Sequence, residues 1–571
     1  MEAKRRCVKL GKILVASAWP YVNYTPHLGT LIQVLSTDVV ARYYRLKGED
    51  VVMVSGSDEH GTPIEVEAVR LGVHPKQLTD KVHNKIVQLF KKWGISFDNY
   101  TRTENPTHKE FVQNHFMKLY NNGYIFEKET ELLFCENCKR FLPDRFIEGK
   151  CPYCGYAQAR GDQCPECGRL LETTLLLEPY CVICKGTPTL KKTKHWYFDL
   201  SKFSRELEDY INGNKQLPTN ARNFSLNLIK EGLKPRAVTR DNKWGIQAPF
   251  PGAEDKTIYV WVEAVLGYVS ATIEHFKNCG TPEKWKEFWF NKEAKTIFFI
   301  GKDNIPFHTI IFPALLLGAH ENYNLPWNVS TTEFLQFKGE RASKSLRRGI
   351  WIDEALELFP PDYWRYFLIA TRPETKDSNF SWEIFKEKIN SDLNDTLGNF
   401  VHRTLSFINT YFDGEIPQPK DLDENSKRIL EAIKEKVETI AEEIENCRLQ
   451  SAVNTLIGLS RVGNQFLNEK EPWKLVKKER DKAASILYVA VQIVKALAII
   501  SAPFIPFSAE QIWKTLNLPG SVHEQGWDEA LKPLPPKHKI AEAKPLFKKI
   551  DVSEEELDEL LTKVREKLKE T

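Results

Sequence analysis

Eight of the eleven cysteines in this chain form four C-x-x-C pairs within about 50 residues. Two cysteines at this spacing can bind one metal ion through a tight turn, and eight thiolates supply two tetrahedral sites. The pattern therefore favours metal binding over disulfides. Four-sulfur sites also suit iron–sulfur clusters, but closed structural knuckles within an insertion favour zinc. The pairs are Cys135/Cys138, Cys151/Cys154, Cys164/Cys167 and Cys181/Cys184.

The sequence before these pairs alternates between strand and helix. Ile13–Ser17 is a short apolar strand, and apolar residues from Leu31 to Tyr43 recur every four positions, as on an amphipathic helix. Val51–Val54 reads as the next strand. This order predicts a right-handed parallel unit at the start of an α/β domain.

From about Tyr124 to Arg240 the alternation breaks, and this stretch reads as an insertion. Strand signals return at Thr257–Val262 and Thr296–Ile300, which we assign to the second half of the same parallel sheet. Beyond about Asn390 long apolar faces at helical spacing predict a helical bundle. A charged tail with a short helix follows from about Ala541.

Composition is ordinary for a soluble protein, with 42% hydrophobic and 27% charged residues. A formal net charge of +3 gives little indication of a nucleic-acid partner. The apolar stretch Ile13–Ala18 is too short for a signal peptide. Ile486–Phe507 contains Gln492, Lys495 and two prolines, and is predicted to be too polar to span a bilayer. We therefore expect no membrane association and a cytoplasmic location.

Two loops carry the groups suited to nucleotide chemistry. Pro26–Thr30 opens the first helix, whose N-terminus offers N–H groups and partial positive charge to a phosphate. There Gly29 permits close approach to the backbone, and His27 can donate a hydrogen bond. The loop Lys338–Ser345 can close over a triphosphate and stabilise a leaving pyrophosphate. Taken alone, the two motifs are better explained as a helix cap with a surface histidine and as a solvated basic loop.

Together, in this order, the loops resemble the paired signatures of class I aminoacyl-tRNA synthetases, the second of which ends in Ser-Lys-Ser, as at Ser343–Ser345. Thr30 stands where that family often has histidine, and Arg341-Ala342 where it usually has Lys-Met. Further segments are similar to methionyl-tRNA synthetases, and the resemblance extends from about Lys12 to Pro535. These segments are Ala18–Asn23, Asp58–Pro63, Phe141–Arg145, Tyr259–Ala264 and Ile300–Asp303.

The resemblance implies a methionine–tRNA ligase that activates L-methionine with Mg²⁺-bound ATP and transfers it to the 3′ end of tRNA(Met). Catalysis is expected from His27, Lys338 and Lys344. ATP-binding residues are expected to be His27, Gly29, Thr30, Gly301, Asp303 and Lys344. Asp303 at the end of a strand could equally be a helix cap.

The methionine pocket implied by the resemblance is aromatic and apolar. Sulfur contacts aromatic edges favourably, by roughly 0.3–1.5 kcal/mol. A buried carboxylate must pair with the substrate ammonium, a role that falls to Asp58. Val265 and Phe312 depart from residues common in the family. The other pocket residues are Trp19, Tyr21, Trp261, Tyr268 and His308, although core packing is an alternative role for each aromatic.

Family members with one zinc use the pairs that match the inner two here. We therefore expect one structural zinc on Cys151, Cys154, Cys164 and Cys167, and a second on Cys135, Cys138, Cys181 and Cys184. For the anticodon, the resemblance points to Asn399, Arg403 and Trp473 in the bundle. Stacking on tryptophan and bonding to base edges suit a single-stranded anticodon, but Trp473 could instead pack between helices.

These expectations define an α/β chain with a Rossmann-like parallel-sheet catalytic domain, a zinc-knuckle insertion and an α-helical anticodon-binding bundle. The expected divisions are 1–124 and 241–330 for the catalytic halves, 125–240 for the connective insertion, 331–390 for the stem-contact region with the Ser-Lys-Ser loop, 391–540 for the bundle and 541–571 for the charged tail helix.

Two alternatives stay open. One is a synthetase for leucine, isoleucine, valine or cysteine, although the first three normally carry a large editing insertion and the cysteine enzymes place thiolates around the pocket. The other is an inactive, zinc-containing tRNA-binding protein, against which the intact His27 and Ser343–Ser345 count. The absence of an appended oligonucleotide-binding domain suggests a monomer, with a separate tRNA-binding partner chain as another possibility.

Overall fold

The computed structural model describes residues 10–143, 146–161, 164, 166–167, 171, 173–341 and 348–570. A five-stranded parallel sheet forms the centre of the N-terminal region. Its first strand lies in the middle, with two strands on each side. Side chains on both faces are buried, as a parallel sheet covered by helices requires. In spatial order the strands are Asn328–Thr332, Lys295–Gly301, Lys12–Ser17, Asp50–Ser57 and Asn99–Arg102.

This strand order makes the first strand the point at which the chain switches from one side of the sheet to the other. Ligands of open α/β sheets bind at the carboxyl ends of the strands beside such a point. The first helix, Leu28–Leu46, follows the first strand and buries the apolar stripe that was predicted for it. The other helices around the sheet are Thr62–Leu71, Pro75–Lys92, Pro106–Asn121, Val260–Ala264, Gly267–Asn278, Lys286–Trp289 and Phe312–Gly318.

The predicted strand Thr257–Val262 is wrong in two respects. Only Thr257–Ile258 is extended, and it pairs antiparallel with Thr239–Arg240 outside the parallel sheet. Val260–Ala264 is a short helix instead. Apolar runs this short do not distinguish a strand from a buried helical turn. The second half of the sheet consists of Lys295–Gly301 and Asn328–Thr332.

The cysteine-rich segment leaves the sheet through an antiparallel ribbon. Ile125–Cys135 pairs along its whole length with Thr189–Phe198, and the four cysteine pairs lie at or beyond the far end of this ribbon. Helices Ser204–Gly213 and Thr219–Lys230 then return the chain to the catalytic region. The smaller strands are Arg140–Phe141, Ile147–Lys150, Ala159–Arg160, Leu177–Cys181 and Arg236–Ala237.

A region of mixed structure connects the sheet to the bundle. Leu335–Phe337 pairs with both Glu340–Arg341 and Ser378–Phe380 in a small sheet. Its helices are Ile352–Leu358, Pro361–Ala370 and Trp382–Glu387, followed by the π-helical stretch Lys388–Gly398.

The predicted bundle is present, and its long helices bury apolar faces at the predicted helical spacing. Its helices are Asn399–Tyr411, Glu424–Glu445, Leu449–Lys470, Pro472–Leu475, Arg480–Ser501 and Pro506–Thr515. The predicted tail helix spans Glu554–Glu570. It packs against Ile352–Leu358 beside the sheet domain, a location that its charged sequence did not reveal.

By length and hydropathy, helix Arg480–Ser501 could cross a bilayer, so the sequence argument that this segment is too polar was wrong. Burial distinguishes it from a membrane span, because 94% of its most apolar window lies inside the protein. Its polar residues have internal partners. Gln492 exchanges two hydrogen bonds with the backbone of Leu534, and Lys495 Nζ donates to the carbonyl of Lys532 at 2.6 Å.

Candidate active site, zinc centres and anticodon surface

His27 caps the first helix with its own side chain. Its Nδ1 accepts the backbone N–H of Gly29 at 3.0 Å. Nδ1 is therefore the acceptor, and a proton on the ring lies on Nε2, from which it can be donated to a phosphate. The His27 ring can therefore cap the helix through Nδ1 and donate to a phosphate through Nε2. The sequence presented these two roles as alternatives. Thr30 lies in the first turn, where its N–H bonds the carbonyl of His27 at 3.0 Å.

The segments that flank the second signature loop meet this turn. The N–H of Leu28 donates to the carbonyl of Ile350 at 2.9 Å, and the N–H of Ile352 donates to that of Pro26 at 3.0 Å. On the other side of the second loop, a methyl group added at Gly29 would lie 3.6 Å from Cβ of Leu335. The chain segments on both sides of the Ser-Lys-Ser sequence therefore contact the His27 turn.

Lys344 itself, with Ser343 and Ser345, lies outside the described residues. Lys338 is described, and its ion pair is with the tail helix. Its Nζ pairs with Oδ2 of Asp558 on the tail helix at 3.2 Å, and 84% of its side chain is exposed.

Gly301 and Asp303 lie at the carboxyl end of the strand beside the first one. Gly301 ends the strand, and Asp303 lies in the 3-10 turn that follows. A Cβ at position 301 would meet Oδ1 of Asp303 at 2.6 Å and the side chain of Gln33 at 3.1 Å. The cap of this turn is Gly301, so the alternative of Asp303 as a helix cap does not apply. The carboxylate of Asp303 lies over the end of the strand, next to the first helix.

The five predicted aromatic and histidine residues form linked pairs in one region. Trp261 donates its indole N–H to the hydroxyl of Tyr21. The hydroxyl of Tyr268 lies 2.7 Å from Nε2 of His308, whose Nδ1 bonds the carbonyl of Asn304 at 3.0 Å. Nδ1 is therefore the protonated nitrogen of His308, and Nε2 accepts from Tyr268. Burial lowers the pKa of His308 to about 4, so this histidine is neutral near pH 7.

The indole of Trp19 lies between two glycines. A Cβ at Gly56 would lie 2.7 Å from its ring, and one at Gly267 would lie 2.6 Å from it. Real side chains do not reach these distances, so Trp19 requires glycine on both sides. The edge of Tyr268 also points at this ring, with centroids 6.5 Å apart. Phe312 is fully buried against Tyr268, with centroids 5.9 Å apart, and extends the same aromatic cluster.

Asp58 is buried beside these aromatics, and its Oδ1 has no hydrogen-bond partner among the residues described. Burial raises the pKa of this carboxyl well above its usual range, and the charge of Glu263 adds to the effect. A buried carboxylate of this kind is costly unless a cation pairs with it. The arrangement is suited to an ammonium group arriving with a substrate.

The cysteine pairs assemble in the nested arrangement, Cys135/Cys138 with Cys181/Cys184 and Cys151/Cys154 with Cys164/Cys167. A Zn–S distance of about 2.3 Å puts the sulfurs of a tetrahedral site about 3.8 Å apart. Cross-pair Sγ–Sγ distances of 3.4 and 3.9 Å in the first group and 3.9 and 3.7 Å in the second fit that geometry. They are far longer than a disulfide bond. Backbone N–H groups also point at sulfur, as from Gly186 to Cys184 at 3.4 Å.

The three predicted anticodon residues lie on one surface of the bundle. The guanidinium of Arg403 lies over the Trp473 ring, 5.2 Å from its centroid. Asn399, one turn earlier on the same helix, is exposed. Trp473 is 38% exposed, which is inconsistent with a tryptophan packed between helices. Asn468 accepts a hydrogen bond from Arg403 at 3.1 Å and holds the guanidinium in place.

Sequence reasoning did not assign roles to several residues that surround the site. His60 and Glu263 lie inside motifs that were recognised, yet their mutual contact joins positions 203 residues apart. Asp558, which pairs with Lys338, likewise comes from a distant part of the chain, and so does Ile350–Ile352, which bonds to the His27 turn. The local signal for His60 and Glu263 was present, but their partners could be known only from the tertiary structure.

Comparison with known proteins agrees with this geometry. Residues 13–405 match the family of class I tRNA synthetases (M), and residues 416–566 match the anticodon binding domain of methionyl tRNA ligase. The solved structure of Mycobacterium tuberculosis methionyl-tRNA synthetase in complex with methionyl-adenylate superposes with a TM-score of 0.79 over 94% of this chain and 99% of its own, at 24% identity. Fold and site define a class I aminoacyl-tRNA synthetase.

Its relatives narrow the class further. The methionine–tRNA ligase of Korarchaeum cryptofilum is 53% identical over 97% of this chain and 98% of its own length. That of Aeropyrum pernix is 50% identical over 98% of this chain and 99% of its own. The chain belongs to the methionine–tRNA ligase family.

Proposed function

We propose that this chain joins L-methionine to tRNA(Met) in two steps at the site around His27. A methionine carboxylate oxygen attacks the α-phosphorus of ATP, and pyrophosphate leaves. The terminal ribose hydroxyl of the tRNA then attacks the activated carbonyl, and AMP leaves. Both steps need positioning and charge stabilisation rather than a protein nucleophile. The observation that carries this proposal is the pair of backbone hydrogen bonds between Pro26–Leu28 and Ile350–Ile352.

In this proposal His27 donates from Nε2 to a phosphate oxygen, while the helix N-terminus and Gly29 accept the nucleotide against the backbone. Thr30 lines the same turn. Gly301 and Asp303 bind the ribose, for which a carboxylate at a strand end is suited. Mg²⁺ accompanies the triphosphate and offsets its charge.

Lys344 is proposed to stabilise the leaving pyrophosphate. Lys338 is proposed to assist, although its Nζ now pairs with Asp558. Exposed ion pairs of this kind contribute at most about 1 kcal/mol. A triphosphate can therefore compete with Asp558 for this ammonium group when the loop closes.

The amino-acid pocket is proposed to hold the methionine side chain against Trp19, Tyr21, Trp261, Tyr268 and His308. A thioether has no strong hydrogen bond to offer, and the Tyr268–His308 pair bonds internally, so its polar atoms need nothing from the substrate. Asp58 is proposed to pair with the α-ammonium, in support of which stand its burial and its unsatisfied Oδ1 among the described residues.

The two cysteine groups are proposed to hold structural zinc ions. All four positions of each site are filled by protein sulfur, so each ion would hold its turns together rather than bind substrate.

On the bundle, Trp473 is proposed to stack on an anticodon base, while Asn399 and Arg403 bond to base edges. We also expect a cytoplasmic monomer of 66.0 kDa, which light scattering can check.

The test is amino-acid-dependent ATP–pyrophosphate exchange with methionine, leucine, isoleucine, valine and cysteine. Methionine alone should support exchange. Lys344→Ala should slow it by about 10²–10³-fold, the loss typical of removing one such charge-stabilising group. Lys338→Ala should have a smaller effect, and Lys434→Ala, on an exposed face of the bundle, should have none. Full exchange in Lys344→Ala would contradict the proposed role, and tRNA binding without any exchange would indicate an inactive tRNA-binding protein.

A further inference from the structure

His60 lies at the centre of a buried group of charges beside the proposed ammonium site. Its side chain is fully buried, on the turn after strand Asp50–Ser57. Its Nδ1 contacts Oε1 of Glu263, and its Nε2 lies 2.8 Å from Oε1 of Glu104. Ionised carboxylates only accept hydrogen bonds, so both ring nitrogens must donate. With both carboxyls ionised, this geometry makes His60 an imidazolium.

The three partners come from separate elements around the pocket. Glu263 belongs to helix Val260–Ala264, which also carries Trp261. Glu104 immediately precedes the cap of helix Pro106–Asn121 and is also paired with Lys109 at 2.6 Å. The backbone N–H of His60 bonds the Asp58 carboxylate. His60 thus joins the ammonium-binding residue to two neighbouring elements.

The charges of this group do not balance. When all three carboxyls are ionised, Asp58, Glu104 and Glu263 carry three negative charges, whereas His60 and Lys109 supply two positive charges. Oδ1 of Asp58 and Oε2 of Glu263 are both buried, and within the described part of the chain neither has a hydrogen-bond partner. One negative charge is left over, which matches the single charge of an α-ammonium.

Other titratable groups nearby do not change this balance. Glu59 is neutralised by Arg102, at 2.6 Å, and Arg102 also reaches Asp80. His108 packs against Trp19, and burial lowers its pKa to about 3, so it carries no charge near pH 7. The ring of Trp244 lies edge-on to His60, with centroids 5.7 Å apart, and covers it.

We infer that His60 is a positioning residue for the substrate ammonium. As an imidazolium it offsets the charge of Glu263, while Lys109 offsets that of Glu104, and so keeps Asp58 available as a carboxylate. The inference rests on the role proposed above for Asp58.

The titration behaviour of the group agrees with this role. Burial lowers the pKa of His60, but the charges and hydrogen bonds of Glu263 and Glu104 outweigh that effect and raise it to about 10. Burial raises the pKa of Asp58, the charge of Glu263 raises it further, and His60 opposes both. Removing the imidazolium therefore removes the main cation that favours an ionised Asp58.

His60→Gln tests the inference through the pH dependence of methionine KM in pyrophosphate exchange. We expect the KM at pH 7 to rise by about 30-fold or more, the change that follows loss of one partner of a buried charge pair. The KM of the variant should fall again as the pH rises, because a higher pH favours the ionised Asp58 carboxylate that His60 no longer supports. The wild-type KM should depend less on pH, and the KM for ATP should stay within about twofold of wild type, because that substrate is not proposed to contact Asp58.

His115→Gln is the matched control. His115 is equally buried, but its Nε2 bonds the backbone carbonyl of Leu315 rather than a carboxylate, and burial lowers its pKa to about 4. Glutamine there replaces one neutral side chain with another, so methionine KM should not change at any pH. A His60→Gln enzyme with wild-type methionine KM at every pH would overturn the inference.

A second measurement uses the wild-type chain and does not require His60→Gln to fold. Nitrogen NMR of histidine-labelled protein should show both ring nitrogens of His60 protonated at pH 7.5. The signal can be assigned by its shift in Glu104→Gln, which alters only the more exposed partner. A neutral ring at pH 7.5 would overturn the inference even if exchange is normal. A charged ring in a chain without methionine-dependent exchange would instead contradict the proposed function.

Discussion

The guanidinium of Arg365 lies 2.6 Å from Oδ2 of Asp38, and both side chains are fully buried. Asp38 belongs to the first helix of the sheet domain, and Arg365 to helix Pro361–Ala370 in the region leading to the bundle. Arg365 also donates to the carbonyls of Pro503 and Phe504, next to the bundle's core helix. Arg365 therefore ties the first helix of the sheet domain to the bundle.

This pair predicts a pH-dependent stability. Burial raises the pKa of Asp38, but the charges of Arg42 and Arg365 outweigh it and hold the pKa well below its usual range. Because the folded-state pKa is lowered, the stabilisation is present above the unfolded pKa near 4 and is lost as the pH falls below it. Asp38→Asn should cost about 3–5 kcal/mol at pH 7, since it leaves Arg365 buried without its counter-charge.

Thermal unfolding from pH 7 to 3 measures this effect. The difference in stability between wild type and Asp38→Asn should become smaller below pH 4. Asp481→Asn is the control, because its pair with Lys420 is about 70% exposed on both sides and should contribute less than about 1 kcal/mol. A stability difference that stays constant down to pH 3 would contradict a stabilising role for the charge of Asp38.

The two roles of His27 can be separated by substitution. Asparagine is also a good helix cap, so His27→Asn should keep the first helix stable while removing the Nε2 donor. Exchange should then slow by about 10²–10³-fold with little change in melting temperature. His27→Ala should lose the cap as well, at a further cost of about 0.5–2 kcal/mol in stability. Equal stability losses in both variants would show that histidine is needed for the fold rather than for phosphate.

Trp19 is predicted to be sensitive to the glycines beside it. Gly267→Ala places a methyl group against the indole and must displace it, so methionine KM should rise at least about tenfold while ATP KM is unchanged. Gly458→Ala, in a bundle helix with open space around the added Cβ, should leave both constants alone and slightly stabilise the chain. Wild-type methionine KM in Gly267→Ala would exclude the Trp19 ring from the pocket wall.

Anticodon reading should be separable from activation. Trp473→Ala should weaken aminoacylation through a higher KM for tRNA, since stacking on one base contributes about 1–3 kcal/mol. Methionine-dependent pyrophosphate exchange should be unaffected, because the ring is on the bundle. The same comparison with Phe507→Ala, another exposed aromatic residue of the bundle, checks that exposure alone has no effect. A loss of exchange in Trp473→Ala would point to a folding role instead.

Metal analysis should find two zinc ions per chain. Cys151→Ser and Cys135→Ser should each remove one, whereas Cys279→Ser, an exposed cysteine outside both groups, should remove none. Each loss should destabilise the insertion, because zinc binding and folding are coupled in knuckles of this kind. Loss of both ions from either single variant would contradict two independent sites.

The local sequence was enough to predict the elements whose pattern repeats along the chain. The apolar stripe from Leu31 to Tyr43 and the bundle faces were correct, because a helix must bury one side at a fixed period. The cysteine spacing likewise indicated two metal sites. Thr257–Val262 was assigned wrongly, because four or five apolar residues fit either a strand or a helical turn.

By itself the sequence determined the elements suited to this chemistry: a helix N-terminus that can receive phosphate, a loop with ammonium groups, and thiolates spaced for metal. Only the tertiary structure decided which charges meet. His60 contacts Glu263 across 203 residues, Lys338 pairs with Asp558 across 220, and Arg365 reaches Asp38 across 327. Local patterns constrain a residue's own turn of helix or strand, whereas the charge state of a buried group depends on which neighbours the fold brings within a few ångströms.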